Sequence, residues 1–434
     1  MTRCLVLLTA ALGVAFVARG EDAGQSLSAP RTRAEVKKAV EVQKNAAPNL
    51  PMPPEAERTR GNNGAMQRYY LPREWQQGGG AFGRRTEKGK EGEPDRAKAR
   101  DQRNGRDNAF TTQLFWIVSR TNDCRYCLGH QEAKLTNAGL AEEQIARLDG
   151  DWSDVPPEMK PALAYARKIT LEPHNISDAD VAELKKQYPA KQVLSIISSC
   201  AGFNRMNRWT GSLNIPQDRE PMGRKESLDG APDPKYANID SPMMPKEAIP
   251  RPPLEPRADV EAKLAAARTR SPRVELPAAD GFVDPAESNR PLPAWTRIAG
   301  ATPEQALSTY KNREAILSTG RIPTLLKAKI MWTTARNNRA WYALADAQRR
   351  LKTLGFTPDQ SFAVDNPDAS DAPTAAALAF ARKLTIAPQL VGAEDFKPLK
   401  KHFSDHEVAE IVWATASGNY FDRLTEPVGL PVED

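Results

Sequence analysis

The sequence predicts an all-α protein built from two tandem helical bundle units joined by a proline-rich linker. Three observations carry that prediction. Segments recur at one spacing: "LAYARKIT" at 163–170 returns as "LAFARKLT" at 378–385, and "LKKQY" at 184–188 returns as "LKKHF" at 399–403. Likewise "AGFNRMNRWTGSLNIP" at 201–216 matches "ASGNYFDRLTEPVGLP" at 416–431, pairing Asn204 with Asn419, Arg208 with Arg423 and Pro216 with Pro431. A single offset of 215 across these pairs implies a tandem duplication with no net insertion. Helix starts are written into both copies. Ser177 stands three residues before Asp180, a capping-box-like start, and Thr302, Pro303 and Gln305 supply a cap, a first-turn proline and a capping partner. Finally, strand-like alternation is absent and the breaks are Asn, Gly and Pro turns, so short helices on short loops form a bundle per unit.

Taken in order, the chain opens with "MTR", the apolar run "CLVLLTAALGVAFVA" and then "RGEDAGQ". A basic start, an apolar stretch short for a bilayer, and Ala18 and Gly20 ahead of Glu21 predict a cleaved export signal over 1–20. Cys4 precedes the apolar core and is not placed as a lipoprotein cysteine. No later segment is apolar enough to span a membrane, so the mature chain is expected to be exported, periplasmic or secreted. Residues 21–108 read as a largely flexible, polar region, with Pro, Gly and charge concentrated in 21 to about 60 and in 77–108. The first unit occupies 109–218 and opens on the apolar "TTQLFWIVSRT" of 111–121. A semi-extended linker follows at 219–257, and the second unit fills 258–434.

Bulk composition narrows the function. At 434 residues the chain exceeds a single core. Its 61 Lys and Arg against 55 Asp and Glu give mixed charge that keeps a surface soluble. The most basic stretch, Arg84 to Arg106, is interrupted by Glu87, Glu91, Glu93, Asp95 and Asp101, which excludes a nucleic-acid face.

The chemistry concentrates in "NDCRYCLGHQ" at 122–131. Once the export signal is removed, Cys124, Cys127 and Cys200 remain, too few for a disulfide framework. Cys200 lies on an apolar helix and reads as a small buried hydrophobe. If Asn122 or Asp123 caps a helix, Cys124 and Cys127 occupy its first turn, where free N–H groups and the positive dipole end favour a thiolate. His130 lies three residues further on, where a neutral imidazole can take the thiol proton. A thiolate so placed attacks a peroxide O–O bond, and a second thiol resolves the sulfenic acid to a disulfide. Two other readings stay open. Cys124, Cys127 and His130 can serve as three metal ligands, although no second Cys/His cluster follows and His174 sits in an isolated loop. Alternatively the pair is an inert local disulfide in an exported scaffold or binding protein. Leu128 directly after the second cysteine excludes haem attachment, Tyr126 reads as packing, and no cofactor is called for.

"NDCRYCLGH", the all-α repeat and the closing "FNRMNR…P" resemble the alkyl-hydroperoxidase D-like proteins of the carboxymuconolactone decarboxylase family. The resemblance covers about 110–218 and, as a degenerate copy, 290–434. It implies a compact helical fold that assembles as homo-oligomers, a hydroperoxide or disulfide substrate, and an external electron donor. By position it makes Cys127 the peroxidatic thiol, Cys124 the resolving thiol and His130 the base. Two departures stand out. The family histidine falls where this chain has Gln131, and the relay glutamate twelve residues before the first cysteine is Thr112 here. Glu132 is the candidate substitute, against a solvated position on the helix surface. Lactone or decarboxylase chemistry has no need of a CxxC. At the repeat offset, Cys124, Cys127 and His130 become Arg339, Tyr342 and Ala345, which makes the second unit a structural half packed against the first.

Overall fold

Helix starts follow the capping chemistry of the chain. The computed structural model describes residues 32–58, 61–76, 108–150, 152, 155–218, 237, 251–300, 302–366 and 370–433. Ser177 accepts from the Asp180 N–H while the Asp180 carboxylate accepts from Ser177 N–H, a complete capping box. Thr302 accepts from the Gln305 N–H, with Pro303 in the first turn. The described residues are mostly helical, and their strand content is one two-residue antiparallel pair, Val283–Asp284 with Arg290–Pro291. The all-α expectation holds.

Among the described residues three α-helices precede the first unit: α1 (Arg33–Gln43), α2 (Asn62–Tyr70) and α3 (Arg73–Gln76). The first unit contains α4 (Asn108–Thr121), α5 (Arg125–Asn137), α6 (Glu142–Arg147), α7 (Lys160–Leu171), α8 (Asp178–Gln187) and α9 (Ala190–Ser212). Then come α10 (Arg257–Thr269), α11 (Thr296–Ala299) and α12 (Pro303–Ser318). The second unit repeats the pattern as α13 (Thr324–Asn338), α14 (Trp341–Thr353), α15 (Pro358–Ala363), α16 (Ala372–Ile386), α17 (Ala393–Lys400) and α18 (Asp405–Thr425).

The two units share side-chain bonds as well as helix order. Lys168 pairs with Asp180 at 2.8 Å and Lys383 with Asp395 at 2.6 Å. Asn204 donates to Thr170 Oγ1 at 3.0 Å, and Asn419 donates to Thr385 Oγ1 at 2.9 Å. Further upstream, the Trp116 and Arg120 side chains both donate to Asp149, and the Trp332 and Arg336 side chains both donate to Asp365. These upstream pairs lie one residue further apart in the chain than the downstream ones. The single offset expected from the sequence therefore fails across the CxxC, because one residue is gained between Asp149 and Lys168. Asp123 and Arg339 share a left-handed backbone at φ 48° and 51°, and Cys124 and Ala340 follow with matching dihedrals. The counterparts of Cys124, Cys127 and His130 are thus Ala340, Ala343 and Asp346, not Arg339, Tyr342 and Ala345.

One hydrophobic cluster runs through both units, with α9 packed along α18. Trp209 meets Trp413 edge-on at 5.2 Å between ring centroids.

The N-terminal region departs from expectation. Over 32–58 and 61–76 it is folded, burying Val36, Val40, Leu50, Met66, Tyr70 and Trp75 in the shared core. Average composition hid these spaced apolar anchors, which remove enough surface from water to fix the segment. Arg33 and Lys37 bind Glu132 on α5, while the Trp75 indole N–H donates to Ala315 O and Thr319 Oγ1 at the end of α12. One arm thereby ties the first unit to the second. The expected export signal at 1–20 and the stretch 77–107 lie outside the described residues, as does nearly all of the expected linker before Arg251. At the linker's end, Arg251 donates to Leu171 O and to Asn337 O, bridging the units.

Candidate functional site

The chain leaves α4 through Asn122, whose amide donates to Asn204 Oδ1 at 3.2 Å and Asn207 Oδ1 at 3.0 Å on α9. Asp123 then takes its left-handed turn, and Cys124 rather than Asn122 or Asp123 occupies the N-cap of α5. Leu128 N–H is the first to reach a helical carbonyl, that of Cys124, at 2.9 Å. The N–H groups of Arg125, Tyr126 and Cys127 therefore lie at the positive helix end beside the sulfurs.

Cys124 and Cys127 are held with their sulfurs at bonding distance, as a disulfide pair with Cα atoms 5.3 Å apart. Both are buried, Cys124 with no exposed surface and Cys127 at 2 %. One hydroxyl serves both sulfurs: Thr210 Oγ1 on α9 lies 3.1 Å from Cys124 Sγ and 3.0 Å from Cys127 Sγ. Thr210 can also donate to Met206 O at 2.9 Å, so its single hydrogen has a resting acceptor and a thiolate alternative.

His130 sits one turn along α5 with both ring nitrogens engaged. Nδ1 lies 3.1 Å from Tyr126 O, and Nε2 lies 3.0 Å from Asp218 Oδ2. No hydrogen bond joins the ring to either sulfur. The structure thus brings the two cysteines together and places His130 in a separate clamp on Asp218. Tyr126, expected as packing, also belongs to that clamp: its hydroxyl donates to Asp218 Oδ2 at 3.2 Å, and its ring lies 4.5 Å from the His130 ring. Burial raises the Asp218 carboxyl, but hydrogen bonds from His130, the Asn62 N–H and Tyr126 outweigh it and hold the group below its ordinary value.

The N-terminal arm closes over this cluster. Asn62 N–H donates to Asp218 Oδ1 at 2.7 Å, Asn63 N–H reaches Tyr126 Oη at 3.4 Å, and the Trp209 indole donates to Asn63 Oδ1 at 3.0 Å. Gly61 makes the approach possible. Its φ is 78°, and a Cβ there would come within 2.7 Å of Asp218 Oδ2.

Other expected residues sit away from the sulfurs. Glu132 is not solvated: it is buried and bonded to Arg33 at 2.6 Å, with Lys37 at 3.1 Å. An arm absent from the repeated unit supplies those cations, which is why helix-face reasoning failed. Thr112 is buried, and its hydroxyl turns back to Asn108 O. Cys200 is fully buried, and burial pushes its thiol far up. Among the described residues no three His, Cys, Asp or Glu side chains gather as a metal site. His174 binds Arg251 at 2.7 Å and is lowered to about 4 by burial and by that guanidinium.

Sequence reasoning missed Thr210 and Asp218. Thr210 carried a signal, since Thr425 occupies the matching position of the second unit. Asp218 stood at the expected boundary between unit and linker and carried none. Compared with known proteins, the chain matches no family model and no curated protein. Among the described residues no helix is long and apolar enough to cross a membrane.

Proposed function

We propose that this chain is an exported thiol oxidoreductase of the alkyl-hydroperoxidase D-like kind that reduces small hydroperoxides through Cys127 and Cys124. The observation that carries the reading is the sulfur pair at a helix N-terminus, with both sulfurs hydrogen-bonded to the Thr210 hydroxyl. The Cys127 thiolate attacks the peroxide, the O–O bond breaks, and an alkoxide or hydroxide leaves and takes a proton. The Cys127 sulfenic acid then condenses with the Cys124 thiol, expelling water and forming the disulfide. An external dithiol supplies two electrons and two protons to reopen it. Cys127 takes the attacking role because it is the residue of the pair that keeps some exposed surface. Burial of the pair favours a small peroxide over a protein disulfide, whose sulfur must approach in line. In this reading Thr210 donates to the developing thiolate, and His130 acts through Asp218 to hold the arm over the site. The second unit, with alanines in place of both cysteines, is its structural half, and the chains associate as homo-oligomers.

Cys127→Ser is expected to abolish peroxide consumption driven by a dithiol, while Cys124→Ser leaves a sulfenic acid that a dimedone-type reagent traps. Equal turnover by wild type and Cys127→Ser ends the proposal. The same burial also favours a second reading, a non-enzymatic exported scaffold with an inert local disulfide. After mild reduction, a working pair re-oxidises rapidly with peroxide and an inert one does not.

A further inference from the structure

A cavity lies on the far side of α9 from the cysteine pair, between the two units. Its walls come from α9, the Trp295–Ala299 turn, α12 and α18. It is small, about 40 Å³, and Arg205 enters it from α9. Arg205 is half-buried, and its guanidinium stacks over Trp413 at 5.3 Å and over Tyr420 at 4.8 Å from the ring centroids. Among the described residues no carboxylate pairs with it. Its Nε is buried without an acceptor, and the Ser417 hydroxyl on the facing helix is likewise unpartnered. The neighbouring Arg313 differs, because Asp346 neutralises it at 2.6 Å. Burial alone lowers the Arg205 pKa, with only a weak opposing contribution from Tyr420.

An uncompensated guanidinium and a spare hydroxyl in a narrow, aromatic-walled space lack one thing, an acceptor carrying negative charge. We propose that this cavity binds a small monocarboxylate, with the carboxylate on Arg205 and Ser417 and the short apolar end against Tyr420 and Phe421. The lining contains no Asp or Glu to compete. Since one water needs roughly 10–15 Å³ of such space, the cavity holds about three, the scale of formate or acetate. A planar carboxylate matches the guanidinium fork with two parallel bonds, whereas a monatomic anion offers a single point.

The test titrates the full chain with sodium formate and sodium acetate, following tryptophan fluorescence and the thermal midpoint. Sodium chloride and sodium sulfate at matched ionic strength are the controls. Saturable binding of the carboxylates, absent with chloride and sulfate, is expected. Arg205→Met should weaken it by at least about tenfold, the scale of one charge-assisted hydrogen bond. That variant replaces an unpaired buried charge with an apolar chain of similar length, so it is expected to keep the helical circular dichroism of the wild type. Ser417→Ala should produce a smaller loss. The proposal fails if no carboxylate binds saturably, if Arg205→Met binds as the wild type does, or if chloride or sulfate binds equally well.

Discussion

Arg208 of the first unit donates to the carbonyl of Thr385 in the second at 3.2 Å, and its repeat counterpart Arg423 donates back to the carbonyl of Thr170 at 3.3 Å. Thr170 and Thr385 stand in the last turns of α7 and α16, where carbonyls have no helical partner and the dipole is negative. Each unit therefore caps a helix of the other with a buried arginine. The repeated "ARKIT" and "ARKLT" end on those carbonyls, and the repeated Asn-x₃-Arg of α9 and α18 supplies the caps.

Exchange of caps predicts coupled unfolding. Arg208→Met leaves the Thr385 carbonyl buried without its donor and should cost about 1–3 kcal/mol. Arg423→Met should cost a similar amount, and the double variant should cost less than the sum, because removing one buried guanidinium relieves its repulsion of the other. Urea unfolding followed by circular dichroism measures both. If either variant is as stable as the wild type, the caps do not hold the units together.

The Asp218 clamp predicts a pH dependence. Its folded carboxyl is held below the ordinary 3.8, so the stabilisation is complete above that value and is lost as pH falls through the depressed one. Acid should release the 61–63 segment from the site before the core melts. Asp218→Asn should remove that acid transition, at a cost of about 1–2 kcal/mol near neutrality. Hydrogen exchange at Asn62 and Asn63 from about pH 5 down to about pH 2 is the measurement; an unchanged acid response in Asp218→Asn refutes the assignment.

Thr210 makes a sharper demand on chemistry than on stability. Thr210→Val keeps the shape and removes the hydroxyl, and the Met206 carbonyl retains its helical partner. The reduced Cys127 should become roughly tenfold slower to alkylate at neutral pH as its thiolate loses one donor. Little change in melting temperature is expected. Alkylation rates measured against pH decide the matter, and identical profiles would reduce Thr210 to packing.

How much of this was legible in the sequence depended on how local each cause was. Ser177 and Thr302 announce their helices because a cap and its partner lie three residues apart. The cysteine pair was visible for the same reason. Its cap was misplaced because Asn122 is spent on Asn204 and Asn207, more than eighty positions away. Glu132 and Asp218 were misjudged alike, since their partners arrive on an N-terminal arm whose composition reads as polar. The repeat register failed where it mattered most. Every quoted match lies at or beyond Leu163, and the one-residue gain before Lys168 was invisible from that side.

That register carries the last prediction. Ala340 has the N-cap geometry of Cys124, with φ −92° and ψ 89° against −85° and 87°. Ala343 follows three residues on, and Thr425 holds the position of Thr210. In a chain with its native cysteines changed to serine, Ala340→Cys with Ala343→Cys should close a disulfide under mild oxidation. Arg339→Cys with Tyr342→Cys should not, because Arg339 occupies the left-handed turn that matches Asp123. Neighbouring Glu426 already bonds the Trp341 N–H at 2.8 Å, so filling the alanine sites should cost about 1–3 kcal/mol through overpacking. Thiol counts and mass shifts after oxidation distinguish the two pairs. Closure of the 339/342 pair alone would restore the single repeat offset and overturn the structural alignment.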